Sequence, residues 1–290
     1  MPKHRKRKEY EYYVTYLELE RRNDRWIIDD MIKIDEENVN STLNRLEADK
    51  IAAEEESQRT KFLLNDVHHG MQQHEIKEFY ERTRLKTVEF ICFGDTMIEA
   101  WYYSPVPAEF HTKILYVCPF CLFFFAKKVE LERHSERCTV RSPPGDEIYR
   151  DEKVSMFEFD AKQQKVYTEN LCYIARLFLD HKNLTCEIDA FYFYILCERK
   201  ANGYHMVGYF SKEKNSDDNN LSCILVLPSV QRSGYGKFLI DFSYSLSLIE
   251  GKQGSPEKPL SDLGHRTYVS YWTHKVLNLL LENQTTSLSI

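Results

Sequence analysis

The sequence has no apolar run approaching the roughly 18 residues that a membrane-spanning helix needs, and no apolar stretch near its N-terminus of the kind a secretory signal carries. A membrane-spanning or secreted protein is therefore not expected. An even cysteine framework is also missing: the eight cysteines are scattered. Three of them, Cys118, Cys121 and Cys138, form a metal-like cluster instead, which suits the reducing cytosol or nucleus. Positive charge is in short supply as well. A net charge of −6 argues against a surface that grips nucleic acid throughout, and fits a basic partner. The local exception is Lys3 to Lys8 (Lys-His-Arg-Lys-Arg-Lys), readable as a nuclear-import or nucleic-acid patch and equally as a solvated terminus. No internal repeat is visible, which excludes solenoids and propellers.

What is present is an ordinary globular composition, with 42% hydrophobic and 29% charged residues over 290 positions. That is enough for one large domain and its appendages. Two alternating strands are expected between Glu11 and Ile34, joined around Arg22 to Asp24. Residues 35–86 read as an acidic and polar linker, in which His68, His69 and His74 are solvated. From Thr87 short apolar segments return as strands: 88–93, 97–103, 114–117, 156–160, 191–198, 206–212 and 221–227. Helices are expected at 170–180 and, buried, at 236–250, the latter stopped by Gly251. This order predicts an α+β domain rather than a regular βαβ repeat.

Cys118-Pro-Phe-Cys121, twelve residues, then His134 and three more residues to Cys138 match zinc-finger spacing with cysteine in the last place. His134 and Cys138 are four apart on an expected helix and so share one face. Four protein ligands leave no position for a water, which makes the zinc structural. The alternatives are buried cysteines beside an unrelated histidine, or a DNA-reading finger. Against the second, Glu130, Glu132 and Glu136 offset Lys127, Lys128 and Arg133 on the expected helix.

After the strand 221–227, Gln231-Arg-Ser-Gly-Tyr-Gly-Lys237 opens into a helix. Glycine permits a tight turn with backbone N–H groups facing an anion, and the helix N-terminus adds partial positive charge. A pyrophosphate would fit. The loop lacks the Gly-Lys-Ser/Thr ending of a P-loop and does not match the dinucleotide fingerprint.

Together with Gly254-Ser-Pro-Glu-Lys-Pro-Leu-Ser-Asp-Leu-Gly264, Phe178-Leu-Asp-His-Lys182, Val207-Gly-Tyr-Phe-Ser-Lys-Glu-Lys214 and the Cys-Cys-His-Cys finger, this loop resembles the MYST family of histone acetyltransferases over about 87–290. Residues 1–34 resemble part of the chromo barrel found in one branch of that family. The resemblance implies a GNAT-like acetyl-CoA-binding core at 145–250 behind a zinc finger at 114–140. It further implies that Ile224, Leu225 and Val226 contact the acetyl and pantetheine arm along an exposed strand edge. Gln231, Arg232, Ser233, Gly234, Tyr235, Gly236 and Lys237 would hold the pyrophosphate, with Ser261 and Ser270 near the cofactor.

A lysine amine has a pKa near 10.4, so at pH 7 only about one molecule in a thousand is the neutral nucleophile. A base is required. Glu257 matches the family's catalytic glutamate, and partial desolvation would raise its pKa toward the working pH. Without the resemblance it would read as a surface glutamate. Cys223 matches the family's active-site cysteine and is either an acetyl-accepting thiolate or a small filler lining the channel; direct transfer with Cys223 shaping the site is the favoured reading.

The chain departs from the family at three points. Asp151 stands where many members carry a lysine that becomes self-acetylated, with Lys153 two positions later. Val226 replaces the usual threonine and Ser233 a usually bulkier residue. The chain stops at Ile290, so the segment 251–290 is expected to be incomplete, and the barrel is partial. Core packing is the expected role of Tyr12, Tyr13, Tyr16 and Trp26. The expected setting is the nucleus, with histone tails or other lysine-bearing nuclear proteins as substrates, a multi-subunit chromatin complex as host, and no membrane or sequence-specific DNA contact. A catalytically weakened paralogue acting as an acyl-CoA-binding or chromatin scaffold is the alternative.

Overall fold

The computed structural model describes residues 11–14, 21–28, 86–180 and 188–282, and the chain divides into two units, 1–85 and 86–290. The basic run Lys3 to Lys8, Tyr16, the polar stretch with its three histidines, and the final residues to Ile290 lie outside the described residues. In the first unit, β1 (Glu11–Val14) pairs antiparallel with β2 (Arg25–Ile28) after a single 3-10 turn at Arg21–Asn23, in the register Glu11↔Ile28 and Tyr13↔Trp26.

The second unit opens with a small sheet of order β4-β3-β5-β6, made by β3 (Phe90–Phe93), β4 (Thr96–Glu99), β5 (Ile114–Val117) and β6 (Phe124–Phe125). Helix α1 (Lys128–Arg137) follows. The expected strand 97–103 ends at Glu99: the Ala100 N–H still donates to the Glu89 carbonyl at 2.8 Å, and the backbone then leaves the sheet. The N–H groups of Trp101 and Tyr102 both donate to the Leu177 carbonyl at 2.8 and 3.0 Å, satisfying the end of a helix rather than a strand neighbour.

The main sheet has the order β12-β10-β9-β8-β7 and is antiparallel throughout. Its strands are β7 (Asp146–Arg150), β8 (Val154–Asp160), β9 (Phe191–Lys200), β10 (Gly203–Glu213) and β12 (Cys223–Val226). β9 reads as an almost unbroken apolar run because both of its faces are covered. Phe193, Ile195 and Cys197 enter one core with Leu171 and Ile174 of α2 (Lys165–Arg176), while Tyr194 and Leu196 enter another with Leu239 of α3 (Tyr235–Ile249). A bulge between Met206 and Gly208 shifts the alternation of β10 by one residue. Met206 and Tyr209 consequently face the first core, and Val207 and Phe210 the second.

The expected helix near 170–180 begins earlier, at Lys165, and ends at Arg176. α3 is less buried than expected, since Leu248 and Ile249 are exposed. Its end is sharp: the Gly251 and Lys252 N–H groups return to the Leu248 and Ser247 carbonyls at 3.1 and 2.9 Å, with Gly251 at φ 68°. That is a Schellman closure, which places glycine in the left-handed region. Helix α4 (Asp262–Glu282) was not anticipated. Only Tyr268 and Tyr271 of it are buried, so its pattern lacks a clear apolar stripe.

Candidate active site and metal centre

The finger is assembled at the edge of the small sheet. After β5, the Cys118 carbonyl accepts the Leu122 N–H at 3.0 Å and the Phe123 carbonyl accepts the Cys118 N–H at 3.0 Å, closing a knuckle. Leu122 is held at φ 60°, a disfavoured state for a branched side chain, while its side chain is fully buried in the first core. Donor atoms of Cys118, Cys121, His134 and Cys138 lie within 4.8 Å of one another, and the Cys121 Sγ stands 3.2 Å from His134 Nε2. Cys138 is not inside α1 but caps it, its N–H still donating to the His134 carbonyl at 2.7 Å. The shared face is preserved by that bond. Hydrogen bonding within the knuckle, chiefly from Cys121, pulls the Cys118 thiol below the usual thiol range, and the same contact pushes Cys121 up. Three cysteine sulfurs and an imidazole at this spacing fit a tetrahedral zinc, with no place for a water.

The finger is fastened to the main sheet through Phe120, between its two cysteines. The Arg141 guanidinium lies 5.3 Å from the Phe120 ring centre, and the His205 ring packs edge-on at 5.1 Å. The Tyr204 N–H also donates to the Arg141 carbonyl at 2.8 Å.

The second set of residues gathers where the expected strand 221–227 breaks. β11 (Asn219–Leu221) pairs in parallel with β13 (Ser255–Pro256), whereas β12 pairs with β10. The break falls at Ser222 and is held by Ser211, which is buried: its carbonyl accepts the Ser222 N–H at 2.7 Å and its hydroxyl accepts the Cys223 N–H at 3.2 Å. Sequence reasoning missed Ser211, because a serine in a strand carries no signal until its partner strand is known.

Parallel pairing of β11 and β13 brings the segment 254–257 beside the start of β12. The Glu257 N–H donates to the Leu221 carbonyl at 2.8 Å, two residues before Cys223. Glu257 itself is exposed, so the expected partial desolvation is not provided by the described residues. Cys223 is half-buried, as are Ile224 and Val226, while the Leu225 side chain is buried in the first core. β12 is an edge strand of the main sheet, with β10 on its one side.

From β12 the chain passes a short 3-10 turn, Pro228–Val230, into the loop Gln231-Arg232-Ser233-Gly234. Arg232 at φ 65° and Gly234 at φ 92° are both left-handed, and a Cβ on Gly234 would meet nothing within 4 Å. Gly234 caps α3, and Tyr235, Gly236 and Lys237 form the first turn, whose N–H groups lack helical acceptors. Alternating handedness ahead of a helix start makes an anion-binding concavity. A Cβ on Gly236 would sit 3.3 Å from Thr267 Cγ2, so α4 runs beside this turn. Ser270 lies three residues from Thr267 and on the same helical face. Ser261 instead caps α4, accepting the Gly264 N–H at 3.1 Å.

Asp151, the departure noted in the sequence, is engaged in the β7–β8 turn. Its carboxylate accepts the Val154 and Lys153 N–H groups at 2.8 and 2.7 Å and the Tyr149 hydroxyl at 3.1 Å, and these backbone bonds hold it below the usual carboxylate range.

An α+β protein with a closed four-ligand knuckle and a glycine-turned anion cradle beside an edge strand belongs to a narrow class. The MOZ/SAS family profile matches residues 142–290 and the MYST family zinc finger domain matches 85–138; the chain belongs to the MYST family. A third match, at 1–34, is to the RNA binding activity-knot of a chromodomain. The chain is 47% identical over 284 residues to "Histone acetyltransferase of the MYST family 1" of Arabidopsis thaliana, covering 95% of this chain and 63% of that protein. It is 46% identical to "Histone acetyltransferase mst1" of Schizosaccharomyces pombe, over 85% of this chain and 52% of that protein. "Histone acetyltransferase ESA1" of Yarrowia lipolytica is 50% identical over 70% of this chain and 44% of its own length. The chain thus spans less than two thirds of each of these relatives.

Proposed function

We propose that this chain is a protein-lysine N-acetyltransferase that moves the acetyl group of acetyl-CoA to lysines of histone tails in the nucleus. The observation that carries the reading is the 2.8 Å bond from the Glu257 N–H to the Leu221 carbonyl. It ties the backbone of Glu257 beside the strand that leads through Cys223 into the anion-binding turn, which supports a carboxylate base within reach of that strand. The names of the relatives support the same activity and a chromatin setting.

In this reading Gln231 to Lys237 bind the pyrophosphate through backbone N–H groups, and the free edge of Ile224, Leu225 and Val226 guides the pantetheine arm with Ser270 nearby. Glu257 takes a proton from the incoming ammonium, the neutral amine attacks the thioester carbonyl, the C–S bond breaks, and the nitrogen's second proton passes to the departing sulfur, so that coenzyme A leaves as its thiol. Cys223 lines the channel and is not acetylated. Zinc, held by Cys118, Cys121, His134 and Cys138, supplies cross-linking of the knuckle and no chemistry. Lys128, Arg133 and Arg137 balance Glu130, Glu132 and Glu136 on the finger helix, so it carries no net positive field, against a DNA-reading role. A multi-subunit chromatin complex is the host we assign.

Purified full-length chain incubated with labelled acetyl-CoA and core histones tests the reading. Label should appear on histone lysines, survive largely in Cys223→Ser and vanish in Glu257→Gln. No label above the Glu257→Gln background, with acetyl-CoA still bound, would mean a scaffold. The reverse ranking of the two variants would mean an acetyl-cysteine route.

A further inference from the structure

The anion-binding turn contains Arg232 in a backbone state disfavoured for a side-chain-bearing residue, and Gly234 with open space around it. Arg232, Ser233 and Gly234 are all exposed. Such a turn has little internal packing to keep its N–H groups aimed at one point, so its ends must be fixed from outside. At the first end, the Gln231 side-chain amide donates to the Val226 carbonyl at 3.1 Å, tying the turn to the last residue of β12. At the second, the Tyr235 hydroxyl donates to Glu198 Oε1, near the end of β9. Burial, with help from Glu198, pushes the Tyr235 phenol up to about 12, so it remains a donor through the physiological range.

Glu198 is well placed to be the fixed end of this bond. It is paired in register with Val154 on β8 and His205 on β10, so a strand flanks it on either side. The Lys200 ammonium lies 3.9 Å from its other oxygen. His205 in turn packs on Phe120 of the knuckle. A carboxylate here has a drawback, since it adds negative charge near a site meant for phosphate. What offsets it is acceptor strength: a charged acceptor holds a phenol more firmly than a neutral one.

We infer that Glu198 is a positioning residue for the acyl donor, acting through Tyr235 to hold the anion-binding turn in its receptive shape, with Gln231 as the matching tie at the other end. This rests on the proposed acetyl-CoA site. It assigns no chemistry to Glu198 or to the Tyr235 hydroxyl. They set how much ordering the turn must undergo when a pyrophosphate arrives, and hence the affinity for coenzyme A rather than the rate of acetyl transfer.

The test is calorimetric titration of the full-length chain with coenzyme A, together with KM and kcat for acetyl-CoA. Tyr235→Phe and Glu198→Ala should each weaken binding by about five- to tenfold, the equivalent of one lost hydrogen bond, with KM rising in step and kcat within about twofold. The double variant should be no weaker than either single one, because both remove the same bond. Glu198→Gln, which keeps an acceptor and removes the charge, should recover most of the affinity. Unchanged binding in Tyr235→Phe, additive losses in the double variant, or a fall in kcat at constant KM would each overturn the inference. A wild-type chain that fails to bind coenzyme A would overturn the cofactor site itself. If Glu198→Ala loses thermal stability, Tyr235→Phe and Glu198→Gln still decide, because neither removes packed volume of consequence.

Discussion

The metal knuckle and the proposed acyl-transfer cleft solve opposite problems within one unit. The knuckle draws all four ligands from positions 118–138, brings their donor atoms within 4.8 Å of one another and buries Cys118 and Cys138. The cleft draws on β9, β10, β12, α3, α4 and the segment after β13, and leaves Glu257, Arg232, Ser233 and Ser270 exposed. A structural metal site works by being closed and complete. A site that, as proposed, admits a nucleotide and a protein tail works by leaving its polar groups open, and depends on remote hydrogen bonds to keep them in order. Disruption of the knuckle should therefore appear first as lost structure, and disruption of the cleft as lost function.

The largest effect should come from the knuckle. Zinc binding is worth about 10–16 kcal/mol in isolated finger peptides, so Cys138→Ser should abolish zinc binding at this cluster, measured by atomic absorption. It should also lower the melting temperature of the 86–290 unit well beyond what a cavity would do. A stable, zinc-free protein with normal melting would mean that the finger is held by packing alone. A smaller effect of the other kind is expected from Gly254→Ala. Its new Cβ would fall 2.5 Å from Asn220 Cβ and 2.8 Å from Ser247 Oγ, a crowding worth about 1–3 kcal/mol. The segment carrying Glu257 must then shift, so kcat should fall by more than the modest loss in melting temperature suggests. An unchanged kcat would show that the position of this segment is not critical.

The smallest effect tests a region outside both sites. Asp160 accepts from the Lys214 ammonium at 2.6 Å, and that bond holds its carboxyl below the usual carboxylate range. A depressed folded-state value contributes stability above the unfolded pKa, and that contribution disappears as pH falls through the folded one. Asp160→Asn should cost less than about 1 kcal/mol at pH 7 and remove part of the acid dependence of melting below about pH 4. Parallel acid melting curves for the two proteins would remove the pair from the account.

The same contrast governs how much could be read from residues alone. The knuckle was legible because its ligands follow a short spacing rule, although Cys138 proved to cap the helix rather than lie within it. Most strands were legible from apolar runs, and β9 and β10 proved longer than expected because they continue as a hairpin through polar and half-exposed residues, with Lys200 paired to Gly203 and Arg199 to Tyr204. The break at Ser222 was hidden: 221–227 is uniformly apolar enough to pass as one strand, and only the partners of its two halves differ. α4 was hidden because two buried tyrosines in a long exposed helix leave little periodicity. The roles of Ser211, Glu198 and Thr267 depend on which strand or helix lies alongside, information that no local window holds. Glu257 was found only through the resemblance of its surrounding segment.

The most direct test of the proposed chemistry is the single-turnover rate of acetyl transfer to a histone-tail peptide, measured for wild type and Glu257→Gln from about pH 6 to pH 10. With a carboxylate base the variant should be slower by about 100-fold or more at pH 7. The gap should narrow as pH approaches the lysine pKa near 10.4, where the amine deprotonates unaided. A Glu257→Gln rate equal to wild type at pH 7, or a deficit that stays constant across the whole range, would contradict it.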